Sequence, residues 1–437
     1  MNVYEILKNG KSKIAVIGLG YVGLPVALAF DKSFDVVGFD IDNSKIMKYE
    51  KGIDPTGEMG NERIKKSNIF FTSDPSHIKL ASFVIITVPT PINVDKTPDL
   101  SPILNATEIV AKNMSRGSYI IYESTVYPGA TEEICIPLIE SISSMKSGRD
   151  FYVGYSPERI NPGDKINTFE TIKKIVSGEN KEITNEIARV YGSVIEAGIH
   201  QVNSIKAAEA AKVVENSQRD LNIAFMNELA MVFDKMSIDT KEVIDAMNTK
   251  WNSLGFTPGL VGGHCIGVDP YYFIYQAERL GYHSQLIISG RNINESIPKH
   301  IVENTINKLI ENEVLVKNAN VAILGLTFKE NTNDTRNSKV FNIIQLLNKS
   351  GINTIIVDPY IKSEEILSKY NASFSTFQEL QDIDAIIIAV PHTQFKEISL
   401  VKMSQLFRDK KKKILIDVKS IINTEDLEKH GFDYWRL

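Results

Sequence analysis

Cys265 stands in the run Gly262-Gly263-His264-Cys265-Ile266-Gly267-Val268-Asp269-Pro270, a glycine-rich stretch with no helix or strand periodicity and an acid four residues after the thiol. Such a loop presents a thiol rather than burying it, because glycine lets a ligand approach the backbone closely. That setting suits a nucleophile. The alternative is a structural cysteine acting as a small hydrophobe, and the flanking domains decide between the two. The other cysteine, Cys135, lies in the apolar run Ile134-Cys135-Ile136 and is expected to be inert. A second set of reactive types, Glu209, Lys212, Asn216 and Arg219, recurs at spacings of three and four in an otherwise apolar helical pattern, which aligns them on one stripe. Burying such groups costs roughly several kcal/mol unless they are partnered, so a site or a subunit interface is expected there.

A third set is a phosphate cradle. Ile14-Ala15-Val16-Ile17 reads as a buried strand running into Gly18-Leu19-Gly20-Tyr21-Val22-Gly23 and then a helix. Gly18 permits a tight turn, Gly20 lets the backbone reach a pyrophosphate, and Gly23 allows close helix packing, with Tyr21 and Val22 in the same cofactor-binding turn. Asp40 closes a second strand about 20 residues on, where an acid binds the adenosine ribose diol and repels a 2′-phosphate. NAD rather than NADP is the expected cofactor. Strands ending at Pro89-Thr90 and at Ser124-Thr125 turn their termini toward the same crevice, so Pro89, Thr90 and Thr125 are expected on the cofactor. The strand Phe151–Tyr155 runs into Ser156-Pro157-Glu158-Arg159, which puts Glu158 and Arg159 at the same rim.

These residues need two sheets and a helical segment to position them. The 437 residues exceed one core. The carboxyl-terminal third repeats the first: Asn320–Leu326, Asn353–Asp358 and Ala385–His392 echo its strands and its acid. Its turn differs, with Thr327-Phe328-Lys329-Glu330 in place of the later glycines and Arg336 close behind. Lys329 and Arg336 suit a nucleotide diphosphate held by charge-assisted hydrogen bonds, and Phe328 suits a base. Between the two thirds, Ser204 to Met236 is a helical pattern with more apolar circumference than one partner can cover. The expected fold is α/β: two Rossmann-like, doubly wound parallel-sheet domains, 1–198 and 307–437, joined by a central helical domain, 199–306, with one long helix. A net charge of -5 and a pI near 5.9 argue against nucleic-acid partners. Two cysteines give no disulfide framework, no signal-peptide core is present, and the uncharged run from Ile14 to Phe30 contains the glycine turn and Pro25, which argues against membrane insertion. The expected location is the cytoplasm, and no metal site is expected.

The order of these motifs, a dinucleotide domain, a long helix, a G-G-x-C-x-x-x-D loop and a second nucleotide domain with F-K and D-T-R, resembles the UDP-glucose/GDP-mannose dehydrogenase family over essentially the whole chain. The run from Pro258 to Tyr272 resembles the branch that acts on UDP-N-acetylglucosamine and UDP-N-acetylgalactosamine in capsule and O-antigen synthesis. The resemblance implies four-electron oxidation of a C6 alcohol with NAD, through a thiohemiacetal and a thioester on Cys265. It places Lys212 and Asn216 at the oxyanions, Asp269 as base or water-orienting acid, and Thr125 and Glu158 on the catalytic water. It implies substrate contacts from Lys329 and from Gly259, Gly262 and Gly263, a cofactor contact from Arg336, and pairing of the long helix across a two-fold axis, hence a homodimer or higher oligomer. Phe256 and Arg291 flank the cysteine loop and are expected to line the sugar pocket. The UDP-glucose branch commonly has a lysine and a second glutamate where this chain has Val268 and Pro162, which argues against UDP-glucose. UDP-N-acetylmannosamine and UDP-glucose stay open as substrates. A two-electron NAD dehydrogenase and an NAD-binding regulator stay open as other classes, separable by NADH yield.

Overall fold

The computed structural model describes residues 2–160, 164, 166–361 and 372–437. They form two compact units, Met1–Glu215 with Tyr271–His283, and Asn216–Pro270 with Ser284–Leu437. Residues 199–215 and 271–283 of the central segment group with the first unit, and 216–270 and 284–306 with the second.

The first unit holds an eight-stranded sheet: β1 (Lys13–Ile17), β2 (Val36–Phe39), β3 (Phe70–Thr72), β4 (Ala81–Ile86), β5 (Tyr119–Tyr122), β6 (Tyr152–Tyr155), β7 (Lys174–Gly178) and β8 (Ile199–Gln201), in the order β3-β2-β1-β4-β5-β6-β7-β8. All neighbours are parallel except β6 and β7. Continuous apolar runs such as Ile14–Ile17 and Phe83–Ile86 are buried on both faces, as strands of a parallel sheet must be. Ile17 is in register with Phe39 and Ile86, Ile86 with Tyr122, and Tyr122 with Tyr155, so the residues after these strands share one rim. That rim carries Gly18, Asp40, Thr87, Glu123 and Ser156.

The second unit repeats the plan with β9 (Asn320–Leu324), β10 (Asn353–Val357), β11 (Ser373–Phe374), β12 (Ala385–Ile388), β13 (Lys413–Asp417) and β14 (Phe432–Arg436), parallel throughout, in the order β11-β10-β9-β12-β13-β14. The repeat reaches individual hydrogen bonds. The Leu19 amide donates to Asp40 Oδ2 at 2.8 Å, and the Leu326 amide donates to Asp358 Oδ2 at 2.7 Å. In both halves the acid ending the second strand holds the turn after the first.

The helix Ile205–Met236 is 32 residues long. Ala208, Val213, Ala224, Met226 and Ala230 are buried, whereas Val214, Phe225, Val232 and Met236 stay exposed in the single chain. Among the described residues no helix is long and apolar enough to cross a membrane.

Candidate active site

At the rim of the first sheet, Gly18 takes φ +91°, in the left-handed region that glycine adopts without strain. A Cβ on Gly23 would lie 1.9 Å from the Gly18 carbonyl oxygen and 2.4 Å from Thr87 Oγ1, so the helix can seat on the turn only with glycine there. A Cβ on Gly20 would meet nothing within 4 Å. Thr87 donates its hydroxyl toward the carbonyls of Ile17 and Gly18, at 3.0 and 2.8 Å, stapling β4 to the turn. Asp40 is buried and accepts from the Leu19 and Asp42 amides and from Lys45 Nζ, the last at 2.8 Å. Tyr21, Val22, Thr90 and Thr125 are half-buried and Pro89 is exposed.

Farther along the rim, Glu158 is buried and its carboxylate lies 3.4 Å from Lys212 Nζ, which also donates to the Glu158 carbonyl. Beneath it, Glu123 is fully buried with Lys174 Nζ at 2.7 Å and the Tyr191 hydroxyl, and burial pushes its carboxyl above the usual range. Arg159 is exposed and donates to the Lys173 carbonyl at 3.1 Å. The expected stripe divides. Lys212 and Asn216 are buried and Arg219 is exposed, while Glu209 accepts the amides of Gly129 and Thr131, at 2.6 and 3.0 Å, and so anchors the start of the Thr131–Cys135 turn.

In the second unit, Cys265 is half-buried in a turn whose carbonyl accepts the amides of Val268 and Asp269, at 3.1 and 2.8 Å. Asp269 opens the helix Asp269–Arg279, is buried, and accepts from Asn216 Nδ2 at 2.6 Å. Burial, with Arg336 nearby, pulls the His264 pKa down to about 4, so at neutral pH this imidazole gives the adjacent thiol no cationic support. Cys135 is 2 % exposed and burial pushes its thiol up to about 12. Pro162 lies outside the described residues.

Next to the cysteine loop is a cavity of about 130 Å³ lined by Leu260, Gly262, Phe328 and three lysines, Lys329, Lys339 and Lys419. Lys339 and Val340, at the start of the helix Val340–Lys349, also line it, so a helix amino terminus adds its partial positive charge. Lys419 Nζ donates to the Pro258 carbonyl at 3.1 Å, and desolvation pulls its pKa down. The other expected residues of this unit have the following settings. Phe328 packs on the loop, since a Cβ on Gly263 would lie 2.8 Å from its ring. Arg336 is exposed and paired with Asp334, its Nη2 at 2.6 Å. Arg291 is 1 % exposed, with Asp220 on Nη1 at 2.7 Å and Glu295 on Nη2, and is directed at these two carboxylates rather than at the cavity lining. Gly259 is fixed by Asn227, which accepts from its amide at 2.8 Å and donates to its carbonyl at 3.1 Å. Phe256 is half-buried.

Sequence reasoning missed Thr87, Lys339 and Lys419. The last two had a legible signal: Lys419 follows β13 at the ligand-binding end of a parallel sheet, and Lys339 stands where the helix after β9 begins.

Residues 12–195 match the NAD binding domain of the UDP-glucose/GDP-mannose dehydrogenase family, residues 206–296 its central domain, and residues 322–424 its UDP binding domain. The chain belongs to the UDP-glucose/GDP-mannose dehydrogenase family. This family member is 49 % identical over 429 residues to Protein CapL of Staphylococcus aureus, covering 97 % of this chain and 99 % of that one. It is 46 % identical over 414 residues to the UDP-N-acetyl-D-glucosamine 6-dehydrogenase of Salmonella typhi, covering 94 % and 97 %. A solved UDP-D-ManNAc dehydrogenase from Pyrococcus horikoshii superposes with a TM-score of 0.88 at 32 % identity, covering 97 % and 98 %. The chain is thus an NAD-dependent nucleotide-sugar dehydrogenase, and its glycine turn fits the cofactor: no protein atom lies within 4 Å of where a Cβ on Gly20 would stand, which leaves room for a pyrophosphate, and Gly23 brings the helix terminus up to the turn.

Proposed function

We propose that this dehydrogenase oxidises the C6 alcohol of UDP-N-acetylglucosamine or UDP-N-acetylgalactosamine to the uronic acid, as a step toward capsule or O-antigen polysaccharide. The observation that carries the reading lies within the second unit. Cys265 sits on the loop whose Gly262 lines the lysine-rich cavity, and the same loop ends at the Asp269–Asn216 pair. A diphosphate held by Lys329, Lys339 and Lys419 would leave its sugar beside that loop.

NAD, when bound, would accept one hydride per molecule, so two NAD in turn would take the two hydrides that leave C6. Loss of the first hydride and of the hydroxyl proton gives an aldehyde. The Cys265 thiolate adds to its carbon, forming a C–S bond, and the oxygen takes a proton as a thiohemiacetal. Loss of the second hydride and of that proton leaves a thioester. Water then adds, the C–S bond breaks, and the carboxylate and thiol are released. We assign Lys212 and Asn216 to the developing oxyanions, as donors of the kind such charge needs. Asp269, Glu158 and Thr125 are assigned to proton transfer and to the water. Arg336 is assigned to the cofactor, and Gly259, Gly262 and Gly263 to the nucleotide.

The test is an assay of the purified protein with UDP-N-acetylglucosamine, UDP-N-acetylgalactosamine, UDP-N-acetylmannosamine and UDP-glucose, following NADH and acid. Two NADH per sugar are expected with an acetylated gluco or galacto sugar and little turnover with UDP-glucose, because a site built for an acetamido group leaves polar partners unsatisfied without it. One NADH per sugar would remove the thioester. A kcat/KM for UDP-glucose equal to those for both acetylated sugars would remove the substrate assignment.

A further inference from the structure

The cavity is joined to the segment before the cysteine loop by a continuous chain of polar side chains, half-buried at Lys339 and Glu295 and buried beyond them. Lys339 Nζ donates to Glu295 Oε2 at 2.5 Å, and Glu295 Oε1 accepts from Arg291 Nη2. Arg291 Nη1 donates to Asp220 Oδ1 at 2.7 Å, which also accepts from Asn294 Nδ2 at 2.7 Å. Asn294 Oδ1 accepts from Asn227 Nδ2 at 2.7 Å, and Asn227 grips both backbone groups of Gly259. Asp220, Asn227 and Asn294 are 0 % exposed and Arg291 is 1 % exposed. Two cations and two carboxylates balance within the chain, so a change of charge at one end must be answered along it.

We propose that Lys339 is a positioning residue that transmits the presence of a nucleoside diphosphate in the cavity to the segment between Gly259 and Cys265. Lys339 lines the cavity and is also the end of the chain. An ammonium has three donors. A diphosphate that takes one of them competes with Glu295 for the same charge, Glu295 then leans on Arg291, and the adjustment reaches Gly259 through Asp220 and the two asparagines. This rests on reading the cavity as the diphosphate site.

The experiment uses the full chain and UDP alone as probe, with two readouts: the Kd for UDP by calorimetry, and the rate at which iodoacetamide alkylates Cys265, followed by peptide mass spectrometry. In the wild type, saturating UDP should change that rate at least roughly threefold. Glu295→Gln should bind UDP within about threefold of the wild type yet lose the UDP-dependent change. Lys339→Met should raise the Kd roughly tenfold or more and show no change even when saturated, whereas Lys339→Arg should restore both properties in part. A wild-type response in Glu295→Gln, or wild-type UDP affinity in Lys339→Met, overturns the proposal. Should Glu295→Gln not melt cooperatively, Lys339→Met at saturating UDP decides alone, and a wild-type response there overturns it. A wild-type chain that binds no UDP removes the reading of the cavity itself. One that binds UDP without any change at Cys265 removes only the coupling.

Discussion

Cys265 and Cys135 are the same functional group in opposite settings, one on a half-exposed glycine loop and the other sealed where its thiolate is held out of reach. The proposed chemistry needs a thiolate after both ligands are bound, so Cys265→Ser should keep UDP-sugar and NAD affinity within about threefold while acid formation falls by roughly a thousandfold or more. Cys135→Ser should leave turnover within about twofold. Full acid production by purified Cys265→Ser would sink the covalent route. Glu209 offers a separate test. Burial raises its carboxyl from 4.5 to about 7 despite the two amides it accepts. A raised folded value means that the native state keeps a proton the unfolded chain has lost, so this group's contribution falls as pH rises from about 4.5 through about 7. Glu209→Gln does not titrate. Its stability relative to wild type should therefore improve by about 2–3 kcal/mol between pH 4.5 and pH 8, read from urea unfolding at each pH. Parallel pH profiles for the two proteins would contradict the assignment.

At the scale of elements, the two glycine positions of the first turn make opposite demands. A Cβ at Gly23 collides with the Gly18 carbonyl oxygen at 1.9 Å, so Gly23→Ala should destabilise the first unit by about 1–3 kcal/mol and weaken NAD binding with it. Gly20→Ala meets no protein atom, so it should weaken NAD binding while leaving thermal stability almost unchanged. Equal stability losses in the two variants, measured by calorimetry without NAD, would show that the turn is not packed this way. The turn was legible in the sequence because a buried parallel strand writes itself as an unbroken apolar run and a glycine turn as fixed spacings. The antiparallel β7 was not legible, since its pairing with β6 depends on a chain reversal that no periodicity records. Asp358 was legible as the repeat of Asp40, but its use was not. It accepts the amides of Leu326, Tyr360 and Ile361 and lies 3.2 Å from the buried imidazole of His392. The same acid at the same strand end thus serves as a turn clamp. Of the cavity lysines, Lys329 was read from its turn, whereas Lys339 and Lys419 were missed for a related reason: Lys419 lies far along the chain from the other two and joins them because β9 and β13 flank β12 and align their ends.

For the whole molecule, the long helix decides what the single chain leaves undone. Val214, Phe225, Val232 and Met236 are 48, 54, 45 and 58 % exposed, and their separations of eleven, seven and four residues keep them on one stripe of the helix. Scattered exposed hydrophobics need no explanation, but four aligned on one face of a 32-residue helix do. A second copy can cover them by presenting the same stripe about a two-fold axis, the commonest solution for a self-complementary surface. We therefore expect a homodimer at least. Light scattering at micromolar concentration should give twice the chain mass of 48.9 kDa or a multiple of it. Phe225→Asp places a charge in the middle of the stripe and should shift the mass toward one chain, since an unpaired buried charge costs far more than the contact gains. A wild-type mass near 48.9 kDa would remove the dimer. An unchanged oligomer in Phe225→Asp would move the interface to another surface.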